Sequence, residues 1–324
     1  MLKSFKQVLR PLLFVVLGCS VHFAQAAAPT RMLVGVGADP SMAQLLIAKS
    51  EGYFERAGLD VQLIQSASSG ATVPMLIGNQ INATISAESS GITTHLVDNR
   101  VITAGEVLTF KGFYGLVARG AKNFDELKGK RVAVDNATNS GILWQSILEK
   151  NRLNPADYTV VQVQPPEMMP ALMRKDVDAM VTWEPWISRA EAQIKGATVL
   201  STNEGIMEAG CYMYMNREWA QTNAQAARAF VLAITQATDF INKDPQAAAR
   251  ITAAQLKMDP ALTASLMAKL NFSVKLDGQT RNRVSTMAEK LTQAGRLKSA
   301  FNDSDYYYPA ALMSVAPESV SLKD

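Results

Sequence analysis

The sequence is short of the residues that most site chemistry uses. Its 324 residues include two cysteines and two histidines. One of each, Cys19 and His22, falls in the first 26 residues, which read as a leader, so the rest of the chain keeps only Cys211 and His95. One cysteine makes no internal disulfide, even in an oxidising compartment. No zinc site of the usual Cys/His kind can be built within one chain, and a Ser-His-Asp or Cys-His centre would have to recruit His95. No cofactor and no metal are expected. Gly35-Val36-Gly37 lacks the third glycine of a dinucleotide fingerprint, and no P-loop is present. Tandem repeats and Gly/Ser- or Pro-rich linkers are missing too, so two lobes would be joined by short strands and not by a tether.

Charge is also scarce. Residues 1–26 hold a basic start (Lys3, Lys6, Arg10), an apolar run and the small residues Ala24 and Ala26 flanking Gln25. That is a secretory signal peptide, with cleavage expected after Ala26. Its apolar run is shorter than the roughly 20 residues of a spanning helix. Lipid attachment at Cys19 is the alternative, against which Leu17 stands where a small residue belongs. The leader takes three of the 32 basic residues and none of the 29 acidic ones, leaving a formally neutral chain. Neutrality removes the electrostatic case for nucleic acid or an anionic membrane as partner.

What the body does contain is an alternation of β-like and helical patterns. Strands are expected at 32–36, 59–64, 83–86, 131–135, 158–163 and 177–182. Polar turns and helices lie between them, which predicts a mostly parallel sheet flanked by helices. Beyond Cys211–Met215 the pattern is helical. Asp244-Pro245 and Asp259-Pro260 mark helix starts, and a last helix is expected over 280–297.

In such sheets ligands sit beyond the carboxyl ends of the strands. Those positions hold Ser68, Ser69, Ser90, Thr138 and Ser140, small hydroxyls at helix starts, where free N–H groups accept anions. Simple N-capping explains such residues equally well. Asp39, Glu88, Glu167 and Glu184 fall in the same loops, with no lysine or arginine among them. Either they are solvated loop charges, or one or two meet a cationic or N–H-rich part of a ligand. Trp183 and Trp186 bracket Glu184-Pro185 at the end of the 177–182 strand, as a cleft wall or as core. Trp144 reads as core.

Four stretches, EGYFERAGLDVQLI (51–64), DELKGKRVAV (125–134), ALMRKDVDAMVTWEPW (171–186) and ATDFINKDPQAAARI (237–251), resemble the periplasmic solute-binding proteins of ABC importers in the nitrate/sulfonate/taurine group. The resemblance implies an α/β, two-lobed periplasmic binding protein with a ligand cleft between lobes. Residues 27–115 and 215–324 form the first lobe and 116–214 the second. The chain crosses near Tyr114–Arg119 and returns near Cys211–Met215. It further implies ligand contacts from Ser68, Ser69, Ser89, Ser90, Asn139, Ser140, Trp183 and Glu184, with Asp39, Glu88 and Thr138 added from strand-end logic. The partners would be a small organic anion or zwitterion, an ABC permease and its ATPase subunit, with the protein a monomer in the periplasm. Glu88 departs from the small neutral loop of alkanesulfonate binders and would repel a sulfonate. An amino-sulfonate, a nitrogen heterocycle or an aromatic compound therefore stays open. The fold also resembles thiamine-pyrimidine synthases, whose cysteine-rich motif is absent here.

Overall fold

A computed structural model describes residues 28–322. The expected leader lies outside them. The chain forms two sheets flanked by helices. In the first the strand order is β11 (Leu270–Lys275), β4 (Val101–Phe110), β10 (Gly210–Asn216), β3 (Ala83–Ala87), β1 (Thr30–Val36) and β2 (Leu59–Gln65). In the second it is β7 (Thr159–Gln162), β6 (Arg131–Val134), β8 (Ala179–Trp183), β5 (Tyr114–Arg119) and β9 (Ala197–Thr202).

The pairing is less parallel than expected. β1 pairs in parallel with β2 and β3, but β3–β10, β10–β4 and β4–β11 are antiparallel. The second sheet divides likewise: β6–β7 and β6–β8 are parallel, β5–β8 and β5–β9 antiparallel. The reason lies in connectivity. Strands β4 and β10 carry the chain out of the first sheet and back, and neighbours that do this run in opposite directions. The sequence reading had no strand at β4, β9 or β11.

The crossings also sit elsewhere than expected. β4 ends at Phe110 and β5 starts at Tyr114, so the chain leaves through 111–113 and returns through 203–209. Tyr114 and Gly115, placed with the first lobe, pair with Trp183 and Thr182 of the second sheet. Gly210 to Tyr214, placed with the second lobe, pair within the first sheet. A run of β-forming residues shows that a strand exists and not which sheet it joins.

Helices α1 (Ala43–Ser50), α2 (Tyr53–Arg56) and α3 (Glu88–Val97) cover the first sheet, with a three-ten segment at Ser69–Leu76. Helices α4 (Asn139–Lys150), α5 (Pro165–Arg174) and α6 (Trp186–Gln193) cover the second. The chain then adds α7 (Arg217–Thr222), α8 (Ala224–Lys243), α9 (Pro245–Leu256), α10 (Pro260–Met267), α11 (Gly278–Gln293) and α12 (Ala310–Met313). The two Asp-Pro starts behave as read: Asp244 accepts from Ala247 N at 2.9 Å and Asp259 from Leu262 N at 2.8 Å. The stripe Phe230, Ile234, Ala237 and Ile241 of α8 is buried. It lies against α1, where the Gln44 amide donates to Thr238 Oγ1 at 2.7 Å and to Val107 O at 3.0 Å.

Gly91 fixes how α3 lies on β10. A Cβ at this position would stand 2.1 Å from Tyr214 Cζ, inside a fully buried contact. Gly91→Ala is therefore expected to cost about 1–3 kcal/mol through overpacking. Urea unfolding of both forms measures it, and an unchanged midpoint would mean that α3 moves off β10 freely.

Candidate functional site

Five strand ends and one crossing enclose a cavity between the sheets. In the first lobe, Asp39 and Ser41 follow β1, Ser68 to Gly70 follow β2, and Ser86, Ala87, Ser89 and Ser90 come from the end of β3 and the start of α3. In the second, Thr138 and Asn139 open α4 after β6, and Trp183 ends β8. Phe110, Phe113, Tyr114 and Cys211 close the side where the chain crosses. The first-lobe loops touch: a Cβ on Gly70 would stand 2.8 Å from Ser90 Oγ. The volume open to the centre of a water-sized sphere is about 30 Å³. That holds only a small molecule in this arrangement.

No lysine or arginine lines the cavity. Asp39 is its one lining carboxylate; Oδ1 accepts from Ser41 N at 2.9 Å and Ser41 Oγ at 2.5 Å. Burial raises the Asp39 carboxyl above its ordinary range, while the Ser41 bonds and the neighbouring Trp183 side chain pull it back. Trp183 is almost fully covered and packs at 5.9 Å from the Tyr114 ring.

Several polar atoms at this place have no protein partner. Ser86 Oγ, Ser89 Oγ, Ser140 Oγ, Glu88 Oε1 and both polar atoms of Asn139 are buried without a hydrogen bond. A buried polar group left unpaired costs about 1–3 kcal/mol, so such groups seldom cluster by accident. They come from the first turns of α3 and α4 and from the end of β3, in both lobes.

Of the residues expected from sequence, Asp39, Ser68, Ser69, Ser89, Ser90, Thr138, Asn139 and Trp183 line the cavity, and Glu88, Ser140 and Glu184 do not. Thr138 is also a cap, its Oγ1 accepting from Ser140 N at 3.2 Å. Glu88 lies behind the wall, with Oε2 accepting from Gly210 N at 3.1 Å. Glu184 is fully buried but turned away: Oε2 accepts from Ser188 N at 3.0 Å and Oε1 meets Lys269 Nζ at 2.5 Å. Both oxygens are used by the protein, which removes the reason to assign Glu184 to a ligand. Glu167 is exposed, and Trp186 lies under the Arg189 guanidinium away from the cavity. Trp144 is core, edge-on to Tyr158. His95 is structural, bonded to Val101 O at 2.7 Å and Asp305 at 3.2 Å.

Sequence reasoning assigned no ligand contact to Ser41, Gly70, Ser86, Ala87, Phe110, Phe113, Tyr114 or Cys211, which line the cavity. The first four sit at strand ends or helix starts already singled out and were within reach of that rule. The other four arrive only because the crossing strands pass the cavity.

Side-chain contacts tie the lobes together besides the chain. Lys269 from the first lobe pairs with Glu184, Arg296 Nη1 donates to Thr138 O at 3.0 Å, and Lys290 Nζ donates to Ser146 Oγ at 3.1 Å. Burial lowers Arg296 to about 10, with Asp135 opposing the shift. Among these, the Glu184 end is fully excluded from water, so its loss should show most clearly. Lys269→Met is expected to cost about 1–3 kcal/mol, and adding Glu184→Gln should recover part of it. A double-mutant cycle in denaturant measures the coupling; strict additivity would show that the two side chains are independent.

Comparison with known proteins agrees with this architecture. The chain is 25% identical over 284 residues to a Brucella abortus protein provisionally described as a binding protein, covering 81% of this chain and 84% of that one. It is 21% identical over 224 residues to the 4-amino-5-hydroxymethyl-2-methylpyrimidine phosphate synthase of Schizosaccharomyces pombe, covering 64% of each. The alkanesulfonate-binding protein SsuA from Xanthomonas axonopodis pv. citri, bound to MOPS, superposes with a TM-score of 0.76 at 17% identity, over 87% of this chain and 99% of that one. The model of the family described as NMT1/THI5 like matches residues 39–248. With more than half of its length matched in this way, the chain belongs to the NMT1/THI5-like family.

Proposed function

We propose that the protein is the solute-binding subunit of an ABC importer. It takes a small organic anion or zwitterion into the interlobe cavity and presents it, unchanged, to a membrane permease in the periplasm. The observation that carries this reading is the set of unpaired buried polar atoms, Ser86 Oγ, Ser89 Oγ and the Asn139 amide, brought to one cavity by both lobes. Serine hydroxyls and an amide donate to an anion, and the first turns of α3 and α4 add backbone N–H groups and the positive ends of their dipoles. Because contacts come from both lobes, a solute binds the closed form better than the open one and draws the lobes together. The likeness to an alkanesulfonate-binding protein supports the anionic head group. Asp39, on the cavity wall without a cation, suits a solute that also carries a donor or a positive group.

The lining does not favour an enzyme. His95 is committed to structural bonds away from the cavity. Cys211 lines the cavity, but burial pushes its thiol well above the ordinary range, which keeps it un-ionised. Among the described residues no cluster of His, Cys, Asp and Glu has metal-binding geometry.

Titration calorimetry of the protein with taurine, methanesulfonate and nitrate tests the reading. Saturable binding of at least one, with the solute recovered intact, is the expected result. No binding of any, or recovery of a converted product, overturns it. Trp183→Ala is expected to weaken the bound member of that set at least tenfold, about 1.4 kcal/mol. Unchanged affinity would assign Trp183 to packing alone.

A further inference from the structure

Three glutamates are fully excluded from water among the described residues: Glu88, Glu106 and Glu184. Two are neutralised. Glu106 receives Arg283 Nε at 2.7 Å and Nη2 at 2.9 Å, with the Tyr212 hydroxyl at 3.2 Å, and Glu184 pairs with Lys269. Glu88 has neither arrangement. Oε2 accepts the N–H of Gly210, and Oε1 has no partner. The groups around it offer no compensating cation. Glu106 on β4 adds like charge. Tyr114 on β5, Cys211, Tyr212 and Tyr214 on β10, and Tyr306 near the C-terminus are all pushed up in part by Glu88. Arg283 on α11 is committed to Glu106. Burial raises the Glu88 carboxyl to about 8 and Glu106 adds to the rise, while its own backbone N–H, the Gly210 N–H and the Asn139 side chain oppose it. At neutral pH the group is therefore an un-ionised acid whose Oε1 carries a proton and can donate.

The Asn139 side chain of the other lobe is near enough to act on the Glu88 carboxyl, though no hydrogen bond joins the two in this arrangement. It lines the cavity, is fully covered, and leaves both its carbonyl oxygen and its amide nitrogen unpaired. An amide can present either end to a neighbour. Which end Glu88 takes decides which end the cavity receives.

We infer that Glu88 is a positioning residue that sets the orientation of Asn139. The protonated Oε1 donates to Asn139 Oδ1 and turns Nδ2 into the cavity as a donor for an anionic head group, whereas the ionised form takes Nδ2 for itself and leaves Oδ1 facing the solute. The inference rests on the proposed solute-binding role of the same cavity. It also resolves the objection that an acidic residue at this loop would repel a sulfonate: the acid is neutral and supplies polarity of the required sign. Glu88→Gln should lock the donor orientation. Gly210 N–H holds the glutamine carbonyl end, so its NH₂ end occupies the place of Oε1–H.

The test follows methanesulfonate affinity by calorimetry between about pH 6.5 and 9.5, across the Glu88 transition. Wild type should weaken at least tenfold over this range, Glu88→Gln should stay within about twofold, and Asn139→Ala should bind weakly with no alkaline fall. A flat wild-type profile, or the same fall in Glu88→Gln, overturns the inference. A second readout needs no solute and no assumption about binding. A carboxyl raised on folding holds an extra proton between its unfolded value and about 8, so wild-type stability falls as pH rises through that window. The thermal midpoint of Glu88→Gln should therefore gain on wild type from pH 5 to 8; equal pH dependence would remove the neutral acid and the inference with it. If that gain appears but methanesulfonate binds at no pH, the solute assignment fails, and the Asn139 switch with it, while Glu88 remains a neutral buried acid. Should Glu88→Gln not fold, the wild-type affinity profile and Asn139→Ala still decide.

Discussion

Removing a polar group from water without giving it a partner costs about 1–3 kcal/mol, and more for a charge. This fold meets that cost repeatedly at one place, where two helix starts and a strand end face each other across the gap between the sheets. The rest of the molecule makes the arrangement possible. Strands β1, β2 and β3 bring three loops of the first lobe to one edge, and β6 and β8 deliver Asn139 and Trp183 opposite them. Two short crossings allow the edges to meet, and the ties at Glu184, Thr138 and Ser146 hold them together. Under the proposed function, a solute relieves the unpaired groups, and that relief is what favours closure.

Four of the buried carboxylates divide by how the protein treats their charge. Glu106 is held by a forked arginine and a tyrosine, an arrangement that anchors α11 to β4. Glu184 is held by a lysine from the opposite lobe and helps tie the lobes together. Asp39 stays on the cavity wall with only serine donors and the tryptophan beside it. Glu88 has backbone N–H groups but no cation, and burial raises its carboxyl to about 8. Four acids thus take four roles that their residue type alone does not distinguish. The same holds for the tryptophans: Trp183 borders the cavity, while Trp186, three residues on, is turned away from it under Arg189.

Much of this was legible in the chain itself. Periodicity and turn residues located β1, β2, β3, β6, β7 and β8 to within two residues at each end, helped at β1 and β2 by Pro29, Gly37, Gly58 and Ser66 at their borders. The rule that ligands gather beyond strand ends, together with the family resemblance, which added Ser89 and Asn139, then identified eight of the cavity-lining residues. Strands β4, β9 and β11 went unread. They belong to the antiparallel additions and pair with strands far away in sequence, so no local repeat announces them.

What the sequence determined by itself was local: which segments become strands or helices, where helices are capped, and how little reactive chemistry the chain carries. Those follow from side-chain spacing, backbone preference and composition, all properties of neighbours along the chain. Only the tertiary structure decided where the sheets divide, which acid meets a cation, and that Phe110, Tyr114 and Cys211 share a wall with Ser68 and Asn139. Desolvation and pairing depend on atoms brought together from distant positions, and a linear pattern contains no term for them.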